Sequence, residues 1–202
     1  MGINLKSQNI KIYAIILLAS LFVILLGLNI YSNAKEKIIE LSDKNNIAVS
    51  KNIVNNFQIW LDERINSLIR ASKFIQNADI VDDDEKIAGF IKLFKQNAKE
   101  FDLMQLLRDD GEIFVDGEKI LEEVMPKSER AGLIWYVETK NTNAPSVNFM
   151  QKHKILKGST LNLCVPVTKQ AKFKAALCGV VRIENIFNSI KNFSLAPNSY
   201  SF

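Results

Sequence analysis

The most definite chemistry in this 202-residue chain belongs to its two cysteines, Cys164 and Cys178. They fall on consecutive predicted strands, each seven residues from Ala171 at the turn between them. A hairpin centred there sets them opposite one another, with Cβ atoms ~4.5–5.5 Å apart, close to disulfide geometry. A disulfide and a pair of buried free thiols both stand as readings. The first needs an oxidising compartment and a register that survives any bulge in the turn. His153 is the only histidine, and no acid supports it by sequence pattern. One histidine and two cysteines lack the spacing of a metal site. The acidic run Asp82-Asp83-Asp84-Glu85 lacks the central glycine and terminal glutamate of a calcium loop. It stands where a helix begins, so its carboxylates are read as caps on free amides. Lys152, His153, Lys154 and Lys157 gather enough positive charge for an anion, although a solvated strand end is the favoured reading. Trp135 and Tyr136 combine apolar bodies with polar tips, which suits pocket walls, with plain core packing as the competing role for Trp135. No Gly-rich phosphate loop, nucleophile motif or rationalised acid pair occurs, so neither catalysis nor a cofactor is expected.

The elements that must carry these residues begin with Ile12–Ile30, IYAIILLASLFVILLGLNI, which contains no charged residue. At ~1.5 Å per residue such a run spans about 30 Å of hydrocarbon, and only a helix satisfies its own backbone there. Ser32-Asn33-Ala34 offers a small-x-small cleavage site, but the apolar run exceeds the ~7–15 residues of a usual signal peptide, so a retained anchor is preferred. Lys6 and Lys11 precede the span without an acid, which places the tail 1–11 in the cytoplasm and the residues beyond about 31 outside it.

No glycine or proline interrupts the chain between Leu28 and Ala88. Val54, Phe57, Leu61, Leu68 and Ile75, with Trp60 and Ile65 alongside, recur at the 3–4 spacing of an amphipathic helix over about 32–78. A helix of that length seldom buries its whole stripe on one small domain, so it is expected both to pack on its own domain and to pair with a second copy. A short helix follows, with Ile87, Phe90, Ile91 and Phe94 on its buried face. From Phe101 the period changes to that of strands. FDLMQLL and EIFV flank the hairpin signal Asp110-Gly111. Lys119–Val124 reads as weakly helical before Pro126, and Leu133–Glu138 as a helix carrying Trp135-Tyr136. Ser146–Lys154, Thr160–Thr168 and Lys172–Ile183 read as three further strands, and Ile186–Lys191 as a helical exit. The order predicts an α+β fold, a five-stranded antiparallel sheet with helices on its faces. The net charge of +4 is mild, without a basic stripe, which argues against nucleic acid as a partner.

Several stretches, in order, resemble the Cache family of PAS-like extracytoplasmic sensor domains. They are Phe101-Asp102-Leu103 leading to Asp109-Asp110-Gly111, the Trp135-Tyr136 pair, Leu161–Val167, and Gly179–Glu184 as a closing strand. The likeness covers roughly residues 12–202. It implies a PAS-like module over 79–191 behind a membrane helix at 12–31. It also implies that 192–202, with Asn198–Phe202, is a linker and the opening strand of a second module, so that the chain is a fragment of a longer receptor. Members that bind amino acids resemble one another in an arginine two residues before the Trp-Tyr pair. Here that position is Leu133, and the nearest arginine is Arg130. Their Tyr-x-Asp is also missing, since Asn148–Lys154 reads NFMQKHK, and only Glu184 loosely matches the closing acid. An amino acid needs a cation for its carboxylate and acids for its ammonium, so an amino-acid ligand held by the usual contacts is not expected.

The resemblance implies a ligand-sensing input module of a membrane signal-transduction protein, foremost a methyl-accepting chemotaxis receptor in the bacterial inner membrane with its domain in the periplasm. Trp135, Tyr136, Arg130 and Glu184 are the ligand-binding candidates, for a small molecule of unspecified class. The competing reading is a membrane-anchored helical interaction protein with no small-molecule ligand.

Overall fold

The computed structural model describes the backbone of residues 5–191. The expected linker and second-module strand at 192–202 lie outside the described residues. Contacts divide the chain into two compact units, Met1–Asn52 and Ile53–Phe202.

The first helix, α1 (Leu5–Asn77), contains 73 residues and contributes to both units. Helix-tolerant residues and the lack of glycine or proline after Leu28 account for its continuity. Within the first unit its large apolar side chains, among them Leu21, Val23, Ile24 and Leu25, are exposed. Farther along, Lys44 and Glu40 form an i,i+4 ion pair at 2.6 Å. Among the described residues no helix is long and apolar enough to cross a membrane. Side chains 12–16 and Ala19 of the apolar run are not among those described, so the expectation of a span at Ile12–Ile30 rests on the sequence alone.

The second unit is an α+β layer structure. Its antiparallel sheet has six strands, β1 (Leu103–Arg108), β2 (Ile113–Val115), β3 (Glu118–Lys119), β4 (Ser146–Met150), β5 (Thr160–Lys169) and β6 (Lys172–Arg182). They run in the spatial order β3-β2-β1-β6-β5-β4. The first and last strands are thus central neighbours, with Leu103 opposite Val180 and Leu107 opposite Ala176. The remaining helices are α2 (Asp84–Asn97), α3 (Lys127–Ala131), α4 (Ile134–Thr142) and α5 (Ile183–Lys191).

Alternation along the strands builds two cores. Met104 and Leu106 of β1, Leu163 and Val165 of β5, and Leu177 of β6 join Trp60, Leu68 and Ile75 of α1 and Ile87 and Ile91 of α2. Leu103 and Leu107, Cys164, Ala176, Cys178 and Val180 form the opposite core with Trp135, Tyr136 and Met125. Asp83 caps α2, its side chain accepting from Lys86 N at 3.1 Å. Two other acids of that run meet cations: Asp82 pairs with Lys169 at 3.1 Å, and Asp84 with Arg108 at 2.8 Å and Lys119 at 2.7 Å.

Three sequence expectations are corrected. The sheet has six strands rather than five, because Asp116 and Gly117, with φ of 50° and 91°, turn the chain into the two-residue β3. A Cβ on Gly117 would meet Ala88 O at 2.7 Å, so helix α2 can rest against this turn only over a glycine. Lys119–Val124 is not helical, because Lys119 pairs with Phe114 and Ile120 N–H bonds Ile113 O at 2.9 Å, extending the ladder instead. The strand expected to reach Lys154 stops at Met150, and a tight turn follows, closed by His153 N–H to Gly158 O at 3.0 Å and Lys157 N–H to His153 O at 2.8 Å.

The β5–β6 hairpin explains the cysteine register. Its two-residue turn is Gln170-Ala171, both left-handed, so the hairpin is centred between them and not on Ala171. That alone would offset the cysteines by one residue. A bulge between Val167 and Thr168, with Lys174 as the extra residue, restores the pairing of Cys164 with Cys178. The two form a disulfide across a Cα separation of 4.1 Å.

Candidate functional site

On the sheet face away from α1 and α2, a cleft of about 230 Å³ opens between three walls. The sheet supplies Gln105, Ile113 and Val115; the segment leading into α3 supplies Ile120, Val124 and Met125; Leu133 and Trp135 come from the start of α4. Met150, His153, Lys154 and Ile155, from the end of β4 and the turn beyond it, close the remaining side.

Arg130 holds the second wall together. It is fully buried, and its guanidinium donates to Met125 O at 2.6 Å, Gly111 O at 2.8 Å and Ile120 O at 2.8 Å. Two stretches of backbone, the Gly111 turn and the Ile120–Met125 segment, are thereby tied to one side chain, whose buried charge they satisfy. Arg130 does not line the cleft.

Trp135 lines the cleft and is 2% exposed. Its ring meets Tyr136 edge-on at 6.3 Å, and Tyr136 meets Phe173 at 5.8 Å. Tyr136 faces a separate depression of about 280 Å³ with Leu107, Asp109 and Lys140. Burial pushes its phenol pKa up, with Lys140 opposing. The aromatic pair is therefore split between two cavities. Glu184 is exposed in the first turn of α5 and lines neither. Of the four candidate ligand residues, the cleft collects only Trp135.

Two polar residues of the cleft carry its electrostatics: Gln105, which the sequence does not single out, and His153, which it groups with Lys152, Lys154 and Lys157 as an anion-binding alternative to the favoured solvated strand end. Gln105 is 3% exposed, and its Nε2 is buried with no acceptor among the described residues. The signal for it was present, a lone amide in the apolar strand Leu103-Met104-Gln105-Leu106-Leu107. His153 is 5% exposed, and its Nδ1 accepts from the amides of Ile155 at 3.3 Å and Leu156 at 3.2 Å. A ring that accepts at Nδ1 carries its proton on Nε2. Burial lowers the His153 pKa, which keeps the ring neutral. At the margin Lys154, half exposed, forms an ion pair with Glu129 of α3 and so links the closing turn to the opposite wall.

The fold is similar to that of ligand-binding sensory domains of bacterial chemoreceptors. The solved structures that match include the ligand-binding domain of Campylobacter jejuni chemoreceptor Tlp3 in complex with L-valine, at 15% identity and a TM-score of 0.63. That alignment covers 77% of this chain and 66% of the Tlp3 domain. The Pseudomonas aeruginosa amino-acid chemoreceptor PctB domain with L-Arg matches at 14% identity and TM-score 0.57, covering 75% of this chain and 57% of that one. The Pseudomonas fluorescens CtaA domain with L-serine matches at 16% identity and TM-score 0.55, over 68% and 57% of the two chains. The chain thus spans two thirds or less of the length of these domains. No family model matches the sequence, and no curated protein does.

Proposed function

We propose that the chain is the extracytoplasmic ligand-sensing input module of a membrane signal-transduction protein, foremost a chemoreceptor, and that it has no catalytic role. The observation that carries this reading is the cleft itself, lined by Gln105, whose buried amide nitrogen has no partner among the described residues, on a fold similar to that of chemoreceptor sensory domains. A desolvated donor without a partner costs about 1–3 kcal/mol, a cost that a ligand acceptor would offset. Trp135 forms one wall of the cleft, and Arg130 positions the neighbouring wall of Ile120–Met125 without touching the ligand. The Cys164–Cys178 disulfide suits an oxidising compartment such as the periplasm. The uncharged run Ile12–Ile30 would anchor the module in the inner membrane, and α1 would pair with a second copy and carry the signal.

Relay requires that the ligand bind one of two helix arrangements better than the other. Gln105 sits between Met104 and Leu106, which pack into the core shared with α1. Movement of Gln105 by ligand would therefore press on that core.

Thermal unfolding of the full chain against amino acids, organic acids, amines, purines and phosphate tests the proposal. One responsive class should add about 2.7 kcal/mol of stability at 100 times its dissociation constant. A flat response from a folded protein across the whole panel refutes it. The anchor is tested separately by carbonate extraction of membranes, from which an embedded chain is not released.

A further inference from the structure

We propose that the cleft binds a small carboxylate with an apolar tail and no ammonium group, its carboxylate held by Gln105 Nε2, His153 Nε2–H and the Lys154 ammonium.

The inference rests on the sensor reading above and names the ligand that its cleft would take. Each polar side chain of the lining carries a donor, and Gln105 carries an amide oxygen beside it. Gln105 Nε2 has no acceptor among the described residues and is fully enclosed, so the amide would have to turn toward the cleft to meet a ligand. Both backbone amides on His153 Nδ1 fix the tautomer that offers Nε2–H. Lys154 is the one cation of the lining, and Glu129, its present partner, is exposed enough to be exchanged for a ligand carboxylate. A carboxylate accepts through two oxygens and matches such a donor set. An ammonium group would need acceptors that carry negative charge, and no aspartate or glutamate lines the cleft. The rest of the surface, with Ile113, Val115, Met150 and Trp135, is apolar and suits a hydrocarbon tail.

Size narrows the class further. About 230 Å³ holds roughly eight water-sized groups at about 30 Å³ each. A carboxylate with four or five carbons fits that volume. Arg130 supplies no competing anion site in this cleft, because it does not line it and three of its five N–H donors hold backbone carbonyls.

The test is calorimetric titration of the full chain in lipid nanodiscs with four probes of equal chain length: pentanoate, pentanamide, pentylamine and norvaline. Pentanoate should bind one to one, and norvaline and pentylamine at least about tenfold more weakly. Gln105→Met should weaken pentanoate about ten- to a hundredfold, the loss of one hydrogen bond to a charged group. Lys154→Gln, at a half-exposed position, should weaken it severalfold without disturbing the fold. Tighter binding of norvaline or pentylamine overturns the ligand class while leaving the sensor reading intact. Pentanoate binding that both substitutions leave unchanged overturns the assignment of the site. Saturable binding of a purine or another panel member with none from carboxylates overturns this inference alone. No binding of any compound overturns both.

Discussion

Replacing Gln105 by methionine separates the cost of the cleft from its use. Gln105 is 3% exposed on the central strand β1, opposite Val115 and Cys178, and its Nε2 has no acceptor among the described residues. Methionine keeps the unbranched shape and nearly the same volume, so no cavity opens. The substitution removes a desolvated donor whose penalty is about 1–3 kcal/mol. If half to two thirds of that is recovered, the ligand-free protein gains about 0.5–2 kcal/mol, or roughly 1–8 °C in unfolding midpoint for a unit of this size. The same change deletes a ligand contact, so the order reverses at saturating ligand, where the wild type unfolds later. Thermal unfolding followed by circular dichroism, with and without the responsive compound, reads both signs. A ligand-free variant that unfolds more than about 2 °C below the wild type would show that Gln105 is a structural residue and refute the argument.

Reduction of Cys164–Cys178, which closes a loop of sequence separation 14, should cost about 3 kcal/mol on the chain-entropy model, read as a fall in denaturant midpoint on adding reductant. An unmoved midpoint would sink it. Ala171→Gly should stabilise the β5–β6 hairpin by about 0.5–1 kcal/mol, since Ala171 sits at φ 61° and a left-handed residue with a Cβ costs more than glycine's extra freedom. Gly179→Ala should destabilise by about 1–3 kcal/mol or more, because its Cβ would overlap the Phe101 ring in a close-packed core. The pH dependence follows from the sole histidine. Burial holds the folded pKa of His153 below its ordinary ~6.5, so the unfolded chain binds a proton that the folded chain refuses. That contribution is complete above about pH 6.5 and is lost as pH falls through the folded value. His153→Asn should flatten the slope of stability between about pH 5 and 7, a window above that of carboxylates such as Asp84 and Glu112, whose pKa values hydrogen-bonded lysines lower.

The long helix, the α2 cap and the last hairpin were legible because each is written locally. An uninterrupted 3–4 spacing, an aspartate before an apolar periodic run, and two strands around a short turn all act over a few residues. The cysteine pairing was legible only up to its alternatives. A turn centred half a residue away from Ala171 and a bulge at Val167/Thr168 cancel, and neither leaves a sequence mark such as Asn-Gly. Strand β3 escaped because two residues carry no periodicity. The site was the least legible part. Arg130 and Glu184 drew attention as charges near a family position, yet charge in sequence does not say whether a guanidinium faces a cleft or its own backbone. Gln105 carried the better signal, since a neutral amide in the middle of an otherwise apolar strand must find a partner or have one supplied.

Taken together, Leu133, Arg130 and the cleft donors define how this site differs in kind from an amino-acid site. An apolar residue stands where the family resemblance leads one to expect an arginine, and the arginine three positions earlier has three backbone carbonyls as partners and cannot turn outward without abandoning Gly111, Ile120 and Met125. Freeing it would unfasten the wall that shapes the cleft. In the proposed site the anion-binding role falls to groups on β1 and on the turn after β4, on the other sides of the cavity. Those groups donate, and no aspartate or glutamate is among the residues that line the cleft. A ligand drawn to them would pull Lys154 away from Glu129 and draw the closing turn inward. It would also load Gln105, whose strand neighbours Met104 and Leu106 lie against the α1 side of the sheet. Ligand chemistry and the route of the signal thus meet on one strand, β1, and a substitution at Gln105 should alter both together.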